Sequence, residues 1–175
     1  MRHVRLDEAN PSKEARNAFN CGEPSLDRWL ATQARQSMES RDAVTFLLLD
    51  ESHQGEPRIA GYYCLSSGSV AKEAAPDEMA KRAPSPIPAV RMGRFAIGRE
   101  YQRRGWGAEL LGKALLGAVS AGALVAARVM LVDASSEQAL AFYRRYGFVQ
   151  SPIHPMQVLY DLRIVAASAG TSPPA

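Results

Sequence analysis

The chain has 175 residues, of which 46% are hydrophobic and 22% are charged, an ordinary composition for a globular protein. This length suits one domain with a substantial core. The formal net charge of +3 permits a nucleic-acid partner without requiring one. Cys21 and Cys64 form neither a CxxC pair nor a cluster with histidines. We therefore expect no metal site and no disulfide framework.

The sequence contains no segment that we expect to enter a membrane. Residues 1–10 carry charges throughout, unlike a secretory signal. The longest apolar stretch, residues 107–132, is interrupted by Glu109, Lys113 and Arg128. We expect a cytoplasmic protein.

The first half of the chain predicts one helix and two strands. A turn rich in Gly and Pro at residues 20–25 precedes a helix whose apolar face is formed by Leu26, Trp29, Leu30 and Ala34. Strands over residues 44–49 and 59–65 flank a polar loop, which predicts an antiparallel pair. Residues 72–88 hold several prolines and predict a surface excursion with at most a short helix.

The second half alternates strands and helices. Residues 89–97 predict a strand, residues 102–107 a glycine-rich turn, and the next stretch an amphipathic helix that ends in a turn at Gly122. The remaining elements are a strand over residues 128–132, a helix capped by Ser135 that stops at Gly147, and a strand over residues 158–162. We expect a single mixed α/β domain over residues 1–165 and a disordered tail over residues 166–175.

The segment Gln102-Arg103-Arg104-Gly105-Trp106-Gly107-Ala108 opens a helix directly after a strand. Glycines let a ligand approach the backbone closely, and the first N–H groups of a helix have no partner within it. Together with the helix dipole these groups suit a phosphate. Neither the P-loop pattern nor the GxGxxG pattern is present.

This segment resembles the Q/R-x-x-G-x-G/A loop with which GNAT acetyltransferases bind the pyrophosphate of coenzyme A. Residues 139–148, Ala-Leu-Ala-Phe-Tyr-Arg-Arg-Tyr-Gly-Phe, are similar to the A-x-x-F-Y-x-x-x-G-F segment of the same family. The resemblance implies a splayed, mostly antiparallel sheet flanked by helices, with acetyl-CoA as the cofactor. It also implies that Phe95, Ala96 and Ile97 hold the pantetheine arm and that Tyr143 protonates the departing thiolate.

One position departs from the family pattern. Many GNAT domains have an asparagine just after the strand that ends at Val132, whereas this chain continues Asp133-Ala134-Ser135-Ser136. Ser135 is the candidate to replace that polar contact with the cofactor. Ser136 is the alternative, and either serine can instead only cap the helix.

The opening Phe19-Asn20-Cys21-Gly22-x-x-x-Leu26-Asp27-x-Trp29-Leu30 is similar to that of the GNAT toxins of type II toxin–antitoxin modules. This resemblance implies acetylation of the α-amine of an aminoacyl-tRNA, which blocks translation. It further implies a homodimer and a ribbon-helix-helix antitoxin.

The chemistry of the central strand agrees with such a substrate. Residues 90–97 contain no Asp or Glu that could act as a general base. A lysine amine needs such a base, whereas an α-amine has a much lower pKa. Arginines are the phosphate-contact candidates for tRNA: Arg35, Arg82, Arg91, Arg94 and Arg144.

Three alternatives stay open. A GNAT enzyme acting on a protein amine or a small amine would need a carboxylate base, for which Asp133 and Glu137 are near enough in sequence. A non-catalytic GNAT-like binding module would be expected to lose Gly105, Gly107 or Tyr143. A plain nucleic-acid-binding protein would bind tRNA in a salt-dependent manner without acetyl-CoA.

Overall fold

The computed structural model describes residues 1–168. The strands of this part of the chain are β1 (Arg2–Arg5), β2 (Val44–Asp50), β3 (Arg58–Val70), β4 (Ile87–Ile97), β5 (Val129–Asp133), β6 (Val149–Gln150) and β7 (Gln157–Asp161). The helices are α1 (Leu6–Ala9), α2 (Lys13–Asn17), α3 (Pro24–Thr32), α4 (Ala34–Glu39), α5 (Asp77–Ala80), α6 (Trp106–Leu124), α7 (Glu137–Arg145) and α8 (Leu162–Ser168). Short 3-10 turns lie at Lys72–Ala74 and Arg99–Tyr101.

The strands form one sheet in the order β1-β2-β3-β4-β5-β7-β6. β1 and β3 both pair antiparallel with β2, and β5 and β6 both pair antiparallel with β7. β4 and β5 are parallel. This mixed, mostly antiparallel sheet confirms the predicted fold class. The parallel pairing of β4 with β5 ends, within the described chain, at Arg91 opposite Leu131. β4 itself continues to Ile97, as expected for a splayed sheet.

The chain divides into two compact units, each built from two segments. The first unit comprises Met1–Ser66 and Gly93–Lys113. Its core joins the predicted apolar face of α3 and α4 to the sheet, because Trp29, Leu30 and Ala34 are buried against Leu47 and Tyr62. The helix predicted here is interrupted at Gln33, which separates α3 from α4.

The second unit comprises Ser67–Met92 and the described chain from Ala114 onward. Its core cluster includes Met79 from α5, Ile87 from β4 and Leu159 from β7. The predicted excursion therefore buries apolar side chains of its own, although its backbone is mostly irregular. Arg128 holds it in place by donating hydrogen bonds to the Lys81 carbonyl at 2.7 Å and to the Arg82 carbonyl at 3.4 Å.

Two predicted helix boundaries are wrong. α6 continues past Gly122 to Leu124, because Ala121, Ala123 and Leu124 are strong helix formers and the Val125 N–H donates to the Ala121 carbonyl at 3.0 Å. Ser136, not Ser135, caps α7, and its side chain accepts a hydrogen bond from the Ala139 N–H. The predicted end of α7 at Gly147 is confirmed, since that residue has φ +91°.

The short elements at the chain ends had no sequence signal. β1 is an edge strand in which the half-buried His3 and Val4 lie between the exposed Arg2 and Arg5. The helices α1 and α2 that follow are each about one turn long. α8 extends through Ser168, into the predicted tail, and residues 169–175 lie outside the described chain.

α6 is long and apolar enough, by length and composition, to cross a membrane. The core helix of a globular protein passes the same test, and Leu110, Leu111, Ala114 and Ala118 on α6 are all buried. The helix is therefore weak evidence for a membrane span.

Candidate active site

The predicted phosphate loop has the backbone of an anion-binding turn. Gln102 is extended, Arg103 has φ +59° and Gly105 has φ +87°, and α6 begins at the next residue. The first helical hydrogen bond runs from the Glu109 N–H to the Gly105 carbonyl at 3.2 Å. The N–H groups of Trp106, Gly107 and Ala108 precede that bond and so have no partner within the helix.

The loop fits a pyrophosphate. No atom lies within 4 Å of the place where a Cβ atom of Gly105 would be, so the space in front of the turn is open. Successive N–H groups in a turn of this kind can form a concave anion site, and the N-terminus of α6 adds its dipole. The residues present therefore fit the diphosphate of coenzyme A.

Two arginines of this loop are exposed. The Arg104 guanidinium donates a hydrogen bond to the Glu100 carbonyl at 3.2 Å, which fixes it beside the 3-10 turn. Arg103 is the residue of this turn that has a left-handed backbone conformation, and its side chain extends from that position. Both remain candidates for charge-assisted contacts with phosphate.

Gln102 makes contacts with the protein that the sequence did not predict. Its side-chain amide donates to the Ile97 carbonyl and to the Cys21 carbonyl, both at 2.8 Å. These bonds use the N–H groups of the amide, so the side chain connects the end of β4 to the opening motif.

The strand that precedes the loop alternates between buried and half-buried side chains at its end. Ala96 is buried in the core of the first unit, whereas Phe95 and Ile97 are half-buried. A Cβ atom at Gly61 would lie 2.7 Å from Cδ1 of Ile97, so the absence of a side chain at Gly61 gives Ile97 its place.

Tyr143 lies on α7 in the second unit and is 6% exposed. Its ring contacts Phe142 and Phe148, each at a centroid distance of 5.3 Å. Burial raises the pKa of the Tyr143 phenol above its ordinary value. The phenol is therefore protonated at neutral pH and can donate a proton.

The polar residues between β5 and α7 are largely committed to the protein. One carboxylate oxygen of Asp133 pairs with Arg91, and the other accepts a hydrogen bond from the Gln157 amide at 3.0 Å. Ser136 caps the helix, and Ser135 is exposed. Ser135 is thus free of the capping role that the sequence predicted for it.

The arginines predicted to contact tRNA fall in both units and have different surroundings. In the first unit, Arg35 donates to Asn10 Oδ1 at 2.6 Å, and the Arg94 guanidinium lies over the Trp29 ring. In the second unit, Arg82 and Arg144 are exposed, and Arg91 is paired with Asp133. The described chain contains no group of three or more His, Cys, Asp or Glu that could hold a metal ion.

Comparison with known proteins places this geometry in a family. The sequence model of the acetyltransferase (GNAT) domain family matches residues 56–150 of this chain. This range includes both the phosphate loop and the segment around Tyr143. The chain belongs to the GNAT acetyltransferase family, which confirms the predicted acetyl-CoA-dependent acetyltransferase class.

The similar proteins define a branch of that family. The chain is 33% identical over 153 residues to a tRNA-acetylating toxin from Mycobacterium tuberculosis (strain ATCC 25618 / H37Rv), covering 87% of this chain and 89% of that protein. AtaT complexed with acetyl-methionyl-tRNAfMet is similar in structure, with a TM-score of 0.85, 26% identity and coverage of 96% of this chain and 98% of that chain.

A mutant AtaT toxin with phenylalanine in place of a tyrosine, bound to acetyl-CoA and to the C-terminus of the antitoxin AtaR, has a TM-score of 0.78 and 25% identity. The match covers 96% of this chain and 97% of that chain. The predicted resemblance to tRNA-acetylating GNAT toxins is therefore confirmed.

Proposed function

We propose that this protein is a toxin that transfers the acetyl group of acetyl-CoA to the α-amine of an aminoacyl-tRNA and thereby blocks translation. The single observation that carries the proposal is the open turn of Arg103–Gly105 at the start of α6, in which Arg103 and Gly105 have positive φ. This turn occurs in a GNAT chain that is similar to a tRNA-acetylating toxin.

The phosphate loop binds the cofactor through its backbone. The N–H groups of Trp106, Gly107 and Ala108 donate to phosphate oxygens, and Arg103 and Arg104 add positive charge. Gly105 keeps the approach open. Phe95, Ala96 and Ile97 on β4 offer backbone groups to the pantetheine arm, and Ser135 offers a hydroxyl. Acetyl-CoA supplies the activated acetyl thioester.

Tyr143 acts as the general acid. Its Oη donates a proton to the sulfur that departs when the amine attacks the thioester carbonyl. The raised pKa of this phenol keeps the proton in place until it is needed. Positioned general acids of this kind contribute about 10²- to 10⁴-fold to the rate.

The acceptor amine requires little help from a base. Residues 90–97 of β4 carry no carboxylate, and Asp133 is held by Arg91 and Gln157. An α-amine has a pKa near 8, compared with about 10.4 for a lysine side chain, so roughly a fifth of it is neutral near pH 7.4 compared with about a thousandth of a lysine amine. This chemistry favours an aminoacyl ester over a lysine.

The proposed partners follow from the same branch. Aminoacyl-tRNA would contact arginines through its phosphates, with Arg35, Arg82, Arg91, Arg94 and Arg144 as candidates. A solved AtaT complex contains the C-terminus of an antitoxin, which supports an antitoxin here. The ribbon-helix-helix class of that antitoxin is what the resemblance to the GNAT toxins implies. We further propose a cytoplasmic homodimer with one GNAT domain over residues 1–165.

The test is transfer of labelled acetyl from acetyl-CoA to total charged tRNA, with deacylated tRNA and a lysine-rich peptide as controls. Label on charged tRNA alone supports the proposal. Label on the peptide, or on neither acceptor, contradicts it: the first result favours a protein acetyltransferase and the second a binding module. Salt-sensitive tRNA binding without any need for acetyl-CoA would favour a plain nucleic-acid-binding protein.

A further inference from the structure

The opening motif Phe19–Leu30 identified the branch of the family, but the proposed mechanism gives it no task. In the structure its Asn20–Gly22 turn lies against the stretch from Ile97 to Gln102, directly before the phosphate loop. All of these residues belong to the first compact unit.

Backbone and side-chain hydrogen bonds join the two segments. The Arg99 N–H donates to the Asn20 carbonyl at 2.8 Å. The Gln102 amide donates to the Cys21 carbonyl at 2.8 Å and also to the Ile97 carbonyl at 2.8 Å. The turn therefore accepts hydrogen bonds from the first residues that follow β4.

The turn is itself fixed from α3. Asp27 Oδ1 accepts a hydrogen bond from the Cys21 N–H at 2.8 Å, and Asn20 Oδ1 accepts one from the Gly22 N–H at 3.0 Å. Burial, with a smaller contribution from Asp27, raises the pKa of the Cys21 thiol to about 12, so this side chain stays neutral.

The backbone conformation of Gly22 favours glycine, and Arg99 lies close to it. Gly22 has φ +94°, and a Cβ atom there would lie 2.7 Å from Nε of Arg99. Arg99 thus packs directly on the backbone of the turn. Asp27 and Gly22 both determine the geometry of the Asn20–Gly22 turn. Both residues belong to the opening motif that is typical of this branch of the family.

We propose that the Asn20–Gly22 turn, held by Asp27, positions the phosphate loop, and that Gln102 acts through this turn rather than on the phosphates. This inference rests on the proposed acetyl-CoA binding. Gln102 sets the backbone immediately before the left-handed Arg103, so a displacement of Gln102 shifts the N–H groups that follow. Asp27 and Gln102 are positioning residues.

The test compares two ligands. Acetyl-CoA carries the pyrophosphate, whereas S-acetylpantetheine carries the thioester and pantetheine arm without any phosphate. Calorimetry gives the Kd of acetyl-CoA, and displacement gives the inhibition constant of S-acetylpantetheine. Asp27→Ala removes the acceptor for the Cys21 N–H and leaves Ile97 untouched, and we expect it to raise the Kd of acetyl-CoA about 5- to 10-fold. The inhibition constant of S-acetylpantetheine should stay within about twofold of its value for the unmodified protein.

Two further variants separate positioning from general stability. Asp27→Asn keeps an oxygen acceptor and should restore the acetyl-CoA affinity to within about twofold of the original. Gln102→Leu should weaken acetyl-CoA to a similar extent, and the double variant Asp27→Ala with Gln102→Leu should be no weaker than the weaker single variant. The exposed positions Asp42→Ala and Gln36→Leu serve as matched controls.

An unchanged acetyl-CoA Kd in folded Asp27→Ala, an equal loss for both ligands, or additive effects in the double variant would each overturn the inference. If Asp27→Ala does not fold, the two-ligand comparison on Asn20→Ala, which removes the acceptor for the Gly22 N–H, decides. Failure of the unmodified protein to bind acetyl-CoA would instead contradict the proposed function, so the two failures are distinguishable.

Discussion

The guanidinium of Arg94 lies 4.7 Å from the centroid of the Trp29 ring. Trp29 in turn stacks on Tyr62 at 5.8 Å with an interplanar angle of 12°, and the Tyr62 hydroxyl donates to the Leu26 carbonyl at 2.8 Å. The central strand β4 and the helix α3 are thus joined by a column of a cation and two aromatic rings. Arg94 has a structural task besides any contact with tRNA.

This column predicts that Arg94→Lys is not a neutral change. Lysine keeps the charge but loses the planar group that stacks on indole. We expect the free energy of unfolding to fall by about 1 kcal/mol and the Tm by about 2–4 °C. Arg145→Lys, at an exposed position 6.0 Å from the Tyr146 ring, is the control and should change the Tm less. Equal Tm shifts in the two variants would show that the contact of Arg94 with the Trp29 ring does not stabilise the protein.

Tyr143→Phe removes the proposed acid without opening a cavity. We expect acetyl-CoA to bind with unchanged Kd and turnover to fall by about 10²-fold or more. Because burial raises the pKa of this phenol, the acid form persists as pH rises. The unmodified enzyme should therefore show no loss of rate from this group between pH 7 and about 10. Steady-state kinetics against pH would check both expectations, and full turnover in the variant would exclude the role.

Gly105→Ala tests the phosphate loop against a matched glycine. Gly105 and Gly55 have φ of +87° and +96°, and neither has an atom within 4 Å of an added Cβ. Both substitutions should cost about 1 kcal/mol of stability from backbone strain. Gly105→Ala alone should raise the Kd of acetyl-CoA, by about tenfold or more, because its methyl group occupies the space proposed for the phosphates. A similar Kd for the two variants would contradict the placement of the pyrophosphate.

Asp50 makes the stability of the first unit sensitive to acid. Hydrogen bonds from Ser52, followed by the Tyr101 hydroxyl at 2.9 Å, hold the pKa of this carboxyl well below its ordinary value. A depressed pKa gives stability that is present above the unfolded value near 4 and lost as pH falls toward the folded one. Asp50→Asn should lower the free energy of unfolding by about 1–2 kcal/mol at pH 7 and by less at pH 3, because the unmodified carboxyl is already partly protonated in the unfolded chain at pH 3.

Urea unfolding at the two pH values measures this difference, and the exposed Asp42→Asn is the control. A deficit in Asp50→Asn that is the same at both pH values would show that the low pKa of Asp50 does not contribute to stability.

Arg144 tests the contribution of one exposed arginine to tRNA binding. Arg144→Gln should weaken binding of charged tRNA and reduce the slope of log K against log salt by about 1, the effect of losing one phosphate contact. Arg163→Gln is the control, because the Arg163 guanidinium is paired with Asp161. The control should leave the slope unchanged, and an unchanged slope in Arg144→Gln would remove this residue from the interface.

Local sequence patterns determined much of the fold. The apolar spacing of Trp29, Leu30 and Ala34 predicted the buried face of α3 and α4, and the pairing of β2 with β3 followed from two apolar runs around a polar loop. Gly147 marked the end of α7 because a left-handed residue there favours glycine. These features depend on neighbours a few positions apart, which the sequence displays directly.

Elements with little local preference were decided by tertiary contacts. β1 has only two half-buried residues, and it forms because β2 offers an edge for pairing. Gly122 lies inside α6, and the absence of a side chain there leaves room for Ala127, whose carbonyl oxygen would lie 3.3 Å from a Cβ atom at Gly122. Ser135 and Ser136 are adjacent, and either hydroxyl could cap a helix that begins here. The sequence pattern therefore could not determine that Ser136 is the cap of α7.

The sequence by itself determined the chemistry available to this protein: a glycine-rich helix start for phosphates, a tyrosine for proton donation, and a central strand without a carboxylate. Only the tertiary structure decided how those groups are held. The contact of Gln102 with Cys21 joins residues far apart in the chain, and no periodicity or motif spacing encodes a hydrogen bond between them. Long-range contacts of this kind arise when the core brings α3 against β4, which explains why the positioning of the site is visible only in the folded chain.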